Sequence, residues 1–283
     1  MAKRPRIAVV TDSAACLPTG LVKRYHIHVV PFSLISEGKV YRDGIDISPS
    51  DFYAMFRQAN SLPTTSQPSL EEFASLYEML SRTAQGIVSI HIPAELSGTV
   101  EVARLAAQKA ASVPFHIIDA RTATMAEGFV VLEAARCAEQ GHSLEEVADC
   151  AERVIARVDL FATLEDLKYV HRGGRIGEAA RLVGSQLKIS PVLHLRDGEV
   201  KVAAVVRTRR KALLKILELT RDRVGNTPIH VSVFHGDAPR EAAWMEERVR
   251  AQLNCVEFYL TEFTPVMGGH SGPGVVGLAF YSD

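Results

Sequence analysis

Four short polar segments carry the side chains of this sequence that could do chemistry. Short hydroxyl donors near a helix N-terminus, together with a histidine such as His270, suit an oxyanion, because exposed N–H groups and the positive end of the helix dipole stabilise negative charge. A buried carboxylate needs several such donors to offset its desolvation. The segments are Thr-Asp-Ser at residues 11–13, Pro-Thr-Thr-Ser-Gln-Pro at 63–68, Leu-Ser-Gly-Thr at 96–99 and Gly-Gly-His-Ser-Gly-Pro-Gly at 268–274.

Each polar segment alone also has a simpler interpretation. Residues 11–13 could form only a turn, Ser97 could serve only as a helix N-cap, and His270 could be an ordinary loop histidine. A second chemical interpretation is a Ser–His hydrolase of acyl esters, with Ser97 as nucleophile and His270 as base. The sequence marks neither an orienting acid nor a nucleophile elbow, since Pro273 stands where that motif requires glycine.

Two basic segments supply positive charge for an anion or a partner. In His-Arg-Gly-Gly-Arg-Ile-Gly at 171–177, the paired glycines permit a tight turn beside Arg172 and Arg175. The run Arg-Thr-Arg-Arg-Lys at 207–211 lies at the start of a predicted helix, where positive charge interacts unfavourably with the helix dipole. Its residues Arg207 and Arg209 are therefore candidates for docking an acidic partner, with a solvated helix face as the alternative.

The composition excludes several classes of protein. The chain has 283 residues, 47% of them hydrophobic, which is enough for about two domains with a substantial core. Its 32 basic and 33 acidic side chains nearly cancel, which argues against a protein whose whole surface binds nucleic acid. Every apolar run falls far short of the roughly 20 residues needed to cross a bilayer, so we expect no integral membrane segment. The run at residues 7–10 is too short for the core of a signal peptide.

The four cysteines, at positions 16, 137, 150 and 255, show no CxxC spacing. This distribution predicts free thiols in a reducing cytoplasm, rather than a disulfide framework or a zinc site. We therefore expect a cytoplasmic protein with no bound metal.

Strand-like and helix-like segments alternate up to about residue 157. Ser48, Ser69 and Ser143 precede helix-forming runs as N-caps, and residues 63–68 form a predicted loop between helices. Strands separated by helices of this size imply right-handed βαβ units and a mostly parallel sheet. The predicted strands of this half cover residues 7–10, 28–35, 87–92 and 115–118.

The pattern changes in the second half of the chain. Two apolar runs flank Arg-Asp-Gly at 196–198, which predicts an antiparallel hairpin. Residues 171–175 and 268–274 are glycine-rich and are predicted to be loops. We expect an α/β protein of two domains, an N-terminal α/β domain at residues 1–157 and a C-terminal α+β domain with a mixed sheet at residues 158–283.

Taken in order, these motifs resemble the DegV family, the bacterial fatty-acid-binding proteins that serve as the binding component of fatty acid kinase. The resemblance covers nearly the whole chain, and the order and spacing of the motifs make it more specific than any one of them. The motifs are Val-Thr-Asp-Ser at 10–13, Thr-Thr-Ser-Gln-Pro at 64–68, Leu-Ser-Gly-Thr at 96–99, Ile-Asp-Ala-Arg at 118–121, Gly-Gly-Arg-Ile at 173–176, Pro-Val-Leu at 191–193 with Asp-Gly at 197–198, and His-Ser-Gly-Pro-Gly at 270–274.

The resemblance implies a long-chain fatty acid, such as palmitate, stearate or oleate, held between two domains. It implies that Thr65 and Ser97 bind the carboxylate, that His270 completes the polar end, and that Arg175 lies near the carboxyl group and the kinase. The protein would be a non-catalytic subunit without a cofactor. It would present the carboxylate to a separate ATP-dependent kinase, which makes an acyl-phosphate for phospholipid synthesis.

The sequence departs from the family pattern at a few positions. Ala14-Ala15-Cys16 stands where the family usually has Thr-Ala-Asp, Ser271 where threonine is common, and His171 precedes the glycine motif. None of these departures removes Thr65, Ser97, Arg175 or His270. These departures affect the choice of protein partner and the preferred length of the fatty acid more than they affect fatty acid binding itself.

Overall fold

The computed structural model describes residues 6–59, 61–110, 112–183 and 189–282. Short 3-10 helices cover Ser13–Ala15 and Gly177–Leu182. The strands are β1 (Ile7–Asp12), β2 (His28–Val30), β3 (Ser33–Ser36), β4 (Lys39–Arg42), β5 (Thr64–Ser66), β6 (Gly86–His91), β7 (Phe115–Asp119), β8 (Asp159–Thr163), β9 (Ser190–Arg196), β10 (Glu199–Val206), β11 (Ile229–Gly236), β12 (Cys255–Glu262) and β13 (Val275–Ser282). The helices are α1 (Thr19–Arg24), α2 (Pro49–Gln58), α3 (Leu70–Ser81), α4 (Thr99–Lys109), α5 (Thr124–Gln140), α6 (Leu144–Ile155), α7 (Lys168–Arg172), α8 (Arg209–Val224), α9 (Pro239–Gln252) and α10 (Pro265–Ser271).

The strands of the described residues form three sheets, which confirm the predicted α/β class. A parallel sheet has the order β2-β1-β6-β7, and a mixed sheet has the order β10-β9-β8-β13-β11-β12. In the mixed sheet β11 and β12 are parallel, whereas the pairs β9–β10, β8–β9, β8–β13 and β11–β13 are antiparallel. A small antiparallel sheet, β4-β3-β5, was not predicted.

Helices cover both faces of the parallel sheet, and one of them also reaches the mixed sheet. Helices α3 and α4 pack on one side of β6, while α5 and α6 form a packed pair against the strands of the same sheet. Helix α5 contacts β1 and β6 as well as β11 and β13. Buried side chains lie on nearly every face of α5, as expected of a helix enclosed between two layers of structure. The core is therefore continuous between the two halves of the chain, and a domain division after residue 157 remains a prediction.

The helix starts follow from the sequence as predicted. Ser69 accepts a hydrogen bond from the Glu72 N–H while the Glu72 carboxylate accepts one from the Ser69 N–H, which completes a capping box. Ser143 and Glu146 form the same arrangement at α6. Ser48 caps α2, where Pro49 occupies the first helical position.

One strand prediction and one loop prediction in the first half were wrong. Residues 28–35 are not one strand, because Pro31 separates β2 in the parallel sheet from β3 in the small antiparallel sheet. Residues 63–68 are not only a loop, because Thr64–Ser66 pair with β3 as the short strand β5. The second error arose because three residues bracketed by prolines give no recognisable period, and a strand 30 residues away supplies the pairing.

Two loop predictions in the second half also need correction. Residues 171–175 begin inside α7, which ends at Arg172, and residues 268–271 are the last turn of α10 rather than a loop. Pro265 starts α10, and the N–H of Val266 donates to the Asp43 carboxylate at 3.0 Å. Asp43 lies 223 positions before Val266, so the sequence around α10 gives no sign of this contact.

The prediction of free cysteines was wrong for one pair. Cys137 in α5 and Cys150 in α6 form a disulfide, with their Cα atoms 6.7 Å apart, whereas Cys16 and Cys255 are free thiols. The pairing depends on the packing of two antiparallel helices, which the spacing of the cysteines does not reveal. Within the described ranges, no helix combines the length and apolar character that a membrane crossing requires.

Candidate functional site

A cavity of about 400 Å³ brings the predicted site residues together. Thr65, Ser97, Arg175 and His270 all border it, although they come from four separate segments of the chain. Its remaining lining residues are Ala14, Phe32, Ser66, Gln67, Ile92, Leu96, Val266 and Met267. The cavity thus has polar groups on one part of its surface and an apolar wall on another, which is typical of a small-molecule site.

Thr65 and His270 are directly joined across the cavity edge. The Thr65 Oγ1 lies 2.8 Å from the His270 Nε2, and both residues are half-buried. Thr65 is held by β5, whose pairing with β3 fixes which side chains face the cavity. His270 lies in the last turn of α10, which packs against β3 and β5. The small antiparallel sheet and α10 therefore position this pair together.

Ser97 precedes α4 and is not its N-cap. Gly98 is the N-cap residue, while the Ser97 hydroxyl lies 2.8 Å from the Thr99 Oγ1. A Cβ at Gly98 would lie 2.7 Å from the Gln67 Oε1, so glycine at this position permits close contact between the Leu-Ser-Gly-Thr and Thr-Thr-Ser-Gln motifs. The Ser97 side chain is half-buried at the cavity, beside the N-terminus of a helix.

Arg175 fixes the glycine-rich segment over the cavity. Its Nε donates to the Leu96 carbonyl at 3.0 Å, and its Nη1 donates to the Gly173 carbonyl at 2.6 Å. Gly173 in turn lies against the imidazole, since a Cβ there would be 2.6 Å from the His270 Nδ1. The side chain of Arg175 is exposed, so a positive charge lies at the edge of the cavity next to His270.

The imidazole of His270 is neutral near pH 7. Burial, with a smaller contribution from the nearby positive charge of Arg175, lowers the pKa of His270 from 6.5 to about 4. A neutral ring has one N–H and one acceptor nitrogen, so it can exchange a single hydrogen bond with the Thr65 hydroxyl. The positive charge at the site is thus that of Arg175, not of the histidine.

The predicted partner-binding arginines have different surroundings. Arg172 and Arg207 are exposed. Arg209 is engaged internally, because its guanidinium pairs with the Glu241 carboxylate and donates to the carbonyls of Thr163 and Gly274. These contacts join the start of α8 to α9 and to the strands of the mixed sheet.

The structure does not pair Ser97 with His270 as the hydrolase alternative requires. The hydroxyl of Ser97 is bonded to Thr99, and the Nε2 of His270 is bonded to Thr65. A nucleophile and its base are expected within hydrogen-bond reach of each other. Nothing in this geometry favours an acyl-transfer reaction over binding.

The apolar wall of the cavity was not found by sequence reasoning. The wall residues occupy positions whose sequence context resembles that of any core residue; they are Ala14, Phe32, Ile92, Leu96, Val266 and Met267. Only the packing of the parallel sheet, the small antiparallel sheet and α10 sets them around one space. The polar motifs next to these residues were the available signal. Thr-Asp-Ser lies at the end of the parallel strand β1 and Leu-Ser-Gly-Thr follows the parallel strand β6, and ligands bind at the carboxyl ends of such strands.

The comparison with known proteins covers almost all of the chain. The DegV family model matches residues 6–283. A DegV domain-containing protein of Streptomyces coelicolor is 36% identical over 278 residues, which are 98% of this chain and 98% of that protein.

Two solved structures are similar to the chain over nearly its full length. A DegV family protein from Thermus thermophilus, described as binding fatty acid, matches with a TM-score of 0.92 and 35% identity over 98% of this chain and 100% of its own. A protein from Bacillus subtilis, described as a fatty acid binding protein, matches with a TM-score of 0.92 and 32% identity over 99% of this chain and 100% of its own.

Proposed function

The chain belongs to the DegV family, and on that basis we propose that it binds a long-chain fatty acid in the cavity described above. The carboxylate is received by the hydroxyls of Thr65 and Ser97 beside His270. The hydrocarbon tail lies along the apolar wall that includes Phe32 and Ile92.

The observation that carries this proposal is the meeting of Thr65, Ser97 and His270 at one cavity with an apolar wall. A carboxylate leaving water is costly unless several donors receive it, and the two hydroxyls, that of Thr65 being hydrogen-bonded to His270, meet that need. Each CH₂ of the tail gains about 0.8 kcal/mol when it is buried, so a long chain has on the order of 10 kcal/mol available before ordering costs.

Arg175 supports the proposal by supplying charge at the carboxylate end. Because its guanidinium is held by the carbonyls of Leu96 and Gly173, its position is fixed without consuming a carboxylate of the protein. A ligand carboxylate near it would gain favourable Coulomb energy in a partly buried site. This arrangement favours a free fatty acid over a neutral ester.

We further propose that the bound carboxylate is presented to a separate ATP-dependent fatty acid kinase in the bacterial cytoplasm, where an acyl-phosphate is formed. The sequence has no GxxxxGK[ST] phosphate-binding loop, so the phosphoryl group would come from that partner. The exposed Arg172 and Arg207, together with Arg175, are the candidates for its contact surface. The protein itself would act as a non-catalytic carrier.

Ligand identity is tested by denaturing the purified protein and analysing the released lipid by mass spectrometry. We expect one or a few long-chain fatty acids in near-stoichiometric amount, and a higher melting temperature when fatty acid is added to delipidated protein. The absence of lipid in several preparations, together with an unchanged melting temperature, would reject fatty acid binding.

The carrier role is tested by adding a fatty acid kinase and ATP to the loaded protein. Acyl-phosphate trapped with hydroxylamine should form only when both proteins are present, and Arg172→Ala should slow its formation while leaving fatty acid affinity unchanged. Ester turnover by the protein alone that is lost in Ser97→Ala would instead support the hydrolase alternative.

A further inference from the structure

Four residues of the apolar cavity wall share an unusual kind of backbone contact. Their N–H groups do not donate to carbonyl groups of a neighbouring strand but to three polar side chains that lie behind the wall. Ala14 N and Ile92 N donate to the two carboxylate oxygens of Asp12, Phe32 N donates to the hydroxyl of Ser13, and Val266 N donates to the carboxylate of Asp43, at distances of 2.9, 3.1, 3.1 and 3.0 Å.

The three acceptor side chains are themselves buried. Asp12, Ser13 and Asp43 are 0%, 7% and 2% exposed, and none of them borders the candidate cavity. All three border a separate cavity of about 400 Å³, so they are not part of the polar end formed by Thr65, Ser97 and His270. An N–H group that loses its acceptor inside the protein costs about 1–3 kcal/mol, so each of these bonds holds its backbone segment firmly in place.

Further contacts fix the acceptors. The Asp12 Oδ2 lies 3.1 Å from the His91 Nδ1, and the His91 Nε2 lies 2.7 Å from the Ser89 Oγ, which in turn is 2.7 Å from the Tyr77 hydroxyl. This order of groups resembles a Ser–His–Asp triad, yet Ser89 and His91 are both 0% exposed. The chain of hydrogen bonds therefore orients Asp12 rather than activating a nucleophile.

The contacts of Asp43 connect the segment that contains Phe32 to helix α10. The N–H of Asp43 donates to the Phe32 carbonyl at 2.8 Å, so Phe32 is held at both its N–H and its carbonyl. The carboxylate of Asp43 then reaches the first turn of α10, the helix that carries His270. A displacement at Asp43 would move both the wall and the polar end of the cavity.

We propose that Asp12, Ser13 and Asp43 are positioning residues, which set the shape of the fatty acid cavity by holding the backbone N–H groups of its apolar wall. This inference rests on the proposed function only in naming the ligand. It assigns a role to the Thr-Asp-Ser segment that the carboxylate site leaves unexplained.

The first test compares Ser13→Ala with Thr11→Val. Thr11 is a matched control, because it is also buried beside Asp12 and its hydroxyl donates at 3.3 Å to Glu127 rather than to a wall residue. In the protein without ligand, hydrogen exchange of the Phe32 amide should accelerate in Ser13→Ala and not in Thr11→Val. Ser13→Ala should also weaken fatty acid binding by about threefold to tenfold, the range that loss of one hydrogen bond allows.

The second test compares Asp43→Ala with Asp43→Asn. Asparagine keeps an oxygen that can accept from the Val266 N–H, so it should restore both the slow exchange of that amide and most of the affinity lost in Asp43→Ala. Equal affinity in Ser13→Ala, Asp43→Ala and the wild type would overturn the positioning role. Failure of the wild type to bind any fatty acid would overturn the proposed function instead, while the exchange measurements would still test how the wall is held.

Discussion

The Nε2 of His270 lies 2.8 Å from the Oγ1 of Thr65, although the two residues are 205 positions apart in the sequence. Because burial lowers the pKa of His270 to about 4, the ring is neutral at pH 7. In the tautomer with a proton on Nε2, the ring donates to the Thr65 oxygen, and the hydroxyl proton is free to point at a ligand carboxylate. A neutral histidine can thus direct a neighbouring donor without carrying charge.

Thr65→Val should weaken fatty acid binding by about 1–3 kcal/mol, because it removes a donor from a buried carboxylate while keeping the side-chain shape. Thr64→Val is the matched control, since Thr64 lies on the same short strand with an exposed side chain. Dissociation constants from calorimetry with one defined fatty acid give the comparison. Equal losses in the two variants would show that strand β5, and not the Thr65 hydroxyl, accounts for the effect.

Gly173→Ala should displace the imidazole, because the new Cβ would lie 2.6 Å from the His270 Nδ1. We expect fatty acid affinity to fall by about tenfold, equivalent to roughly 1.4 kcal/mol. The control is Gly20→Ala in α1, where a Cβ meets nothing within 4 Å and alanine favours the helix. An unchanged affinity in Gly173→Ala, with a crystal structure showing His270 in place, would contradict this account of the close contact.

Asp43 and His270 should give opposite pH dependences of stability. Burial raises the pKa of Asp43 from 3.8 to about 6, so the folded state binds the extra proton between these values and loses stability as the pH rises through them. Burial lowers the pKa of His270 from 6.5 to about 4, so the unfolded state binds the extra proton and stability falls as the pH drops from 6.5 towards 4.

Chemical denaturation at several pH values measures these two contributions. Relative to the wild type, Asp43→Asn should gain unfolding free energy as the pH rises from 4 to 6. Relative to the wild type, His270→Gln should gain it as the pH falls from 6.5 to 4. Differences that stay constant across the range would contradict the pKa shifts.

Reduction of the Cys137–Cys150 disulfide should lower the free energy of unfolding by about 3 kcal/mol, the value expected for a loop of this size. Thermal unfolding with and without a reductant measures the change. Cys150→Ala should be insensitive to the reductant, whereas Cys255→Ser should respond like the wild type because Cys255 is a free thiol. Alkylation of four thiols in the denatured, unreduced protein would show that the bond is absent.

Much of the fold could be predicted from short-range patterns. Apolar runs such as Ile7–Asp12 and caps such as Ser69 and Ser143 act through contacts within a few residues, so three of the parallel strands and the helices that follow these serines were found. Strand β5 and helix α10 were missed because their stability depends on partners far away in the chain, namely β3 and the Asp43 carboxylate. Local propensity carries no information about such partners.

The sequence by itself determined the types of the polar groups and placed Ser97 directly before a helix, whereas Thr65 and His270 were predicted in loops and lie in β5 and in the last turn of α10. It therefore indicated which residues could receive a carboxylate. Only the tertiary structure decided that Thr65 and His270 are neighbours, that Arg175 is held by Leu96 and Gly173, and that Asp12, Ser13 and Asp43 hold the wall from behind. The physical reason is that hydrogen bonds between distant segments form only after the sheets and helices have packed, and chain order does not set those distances.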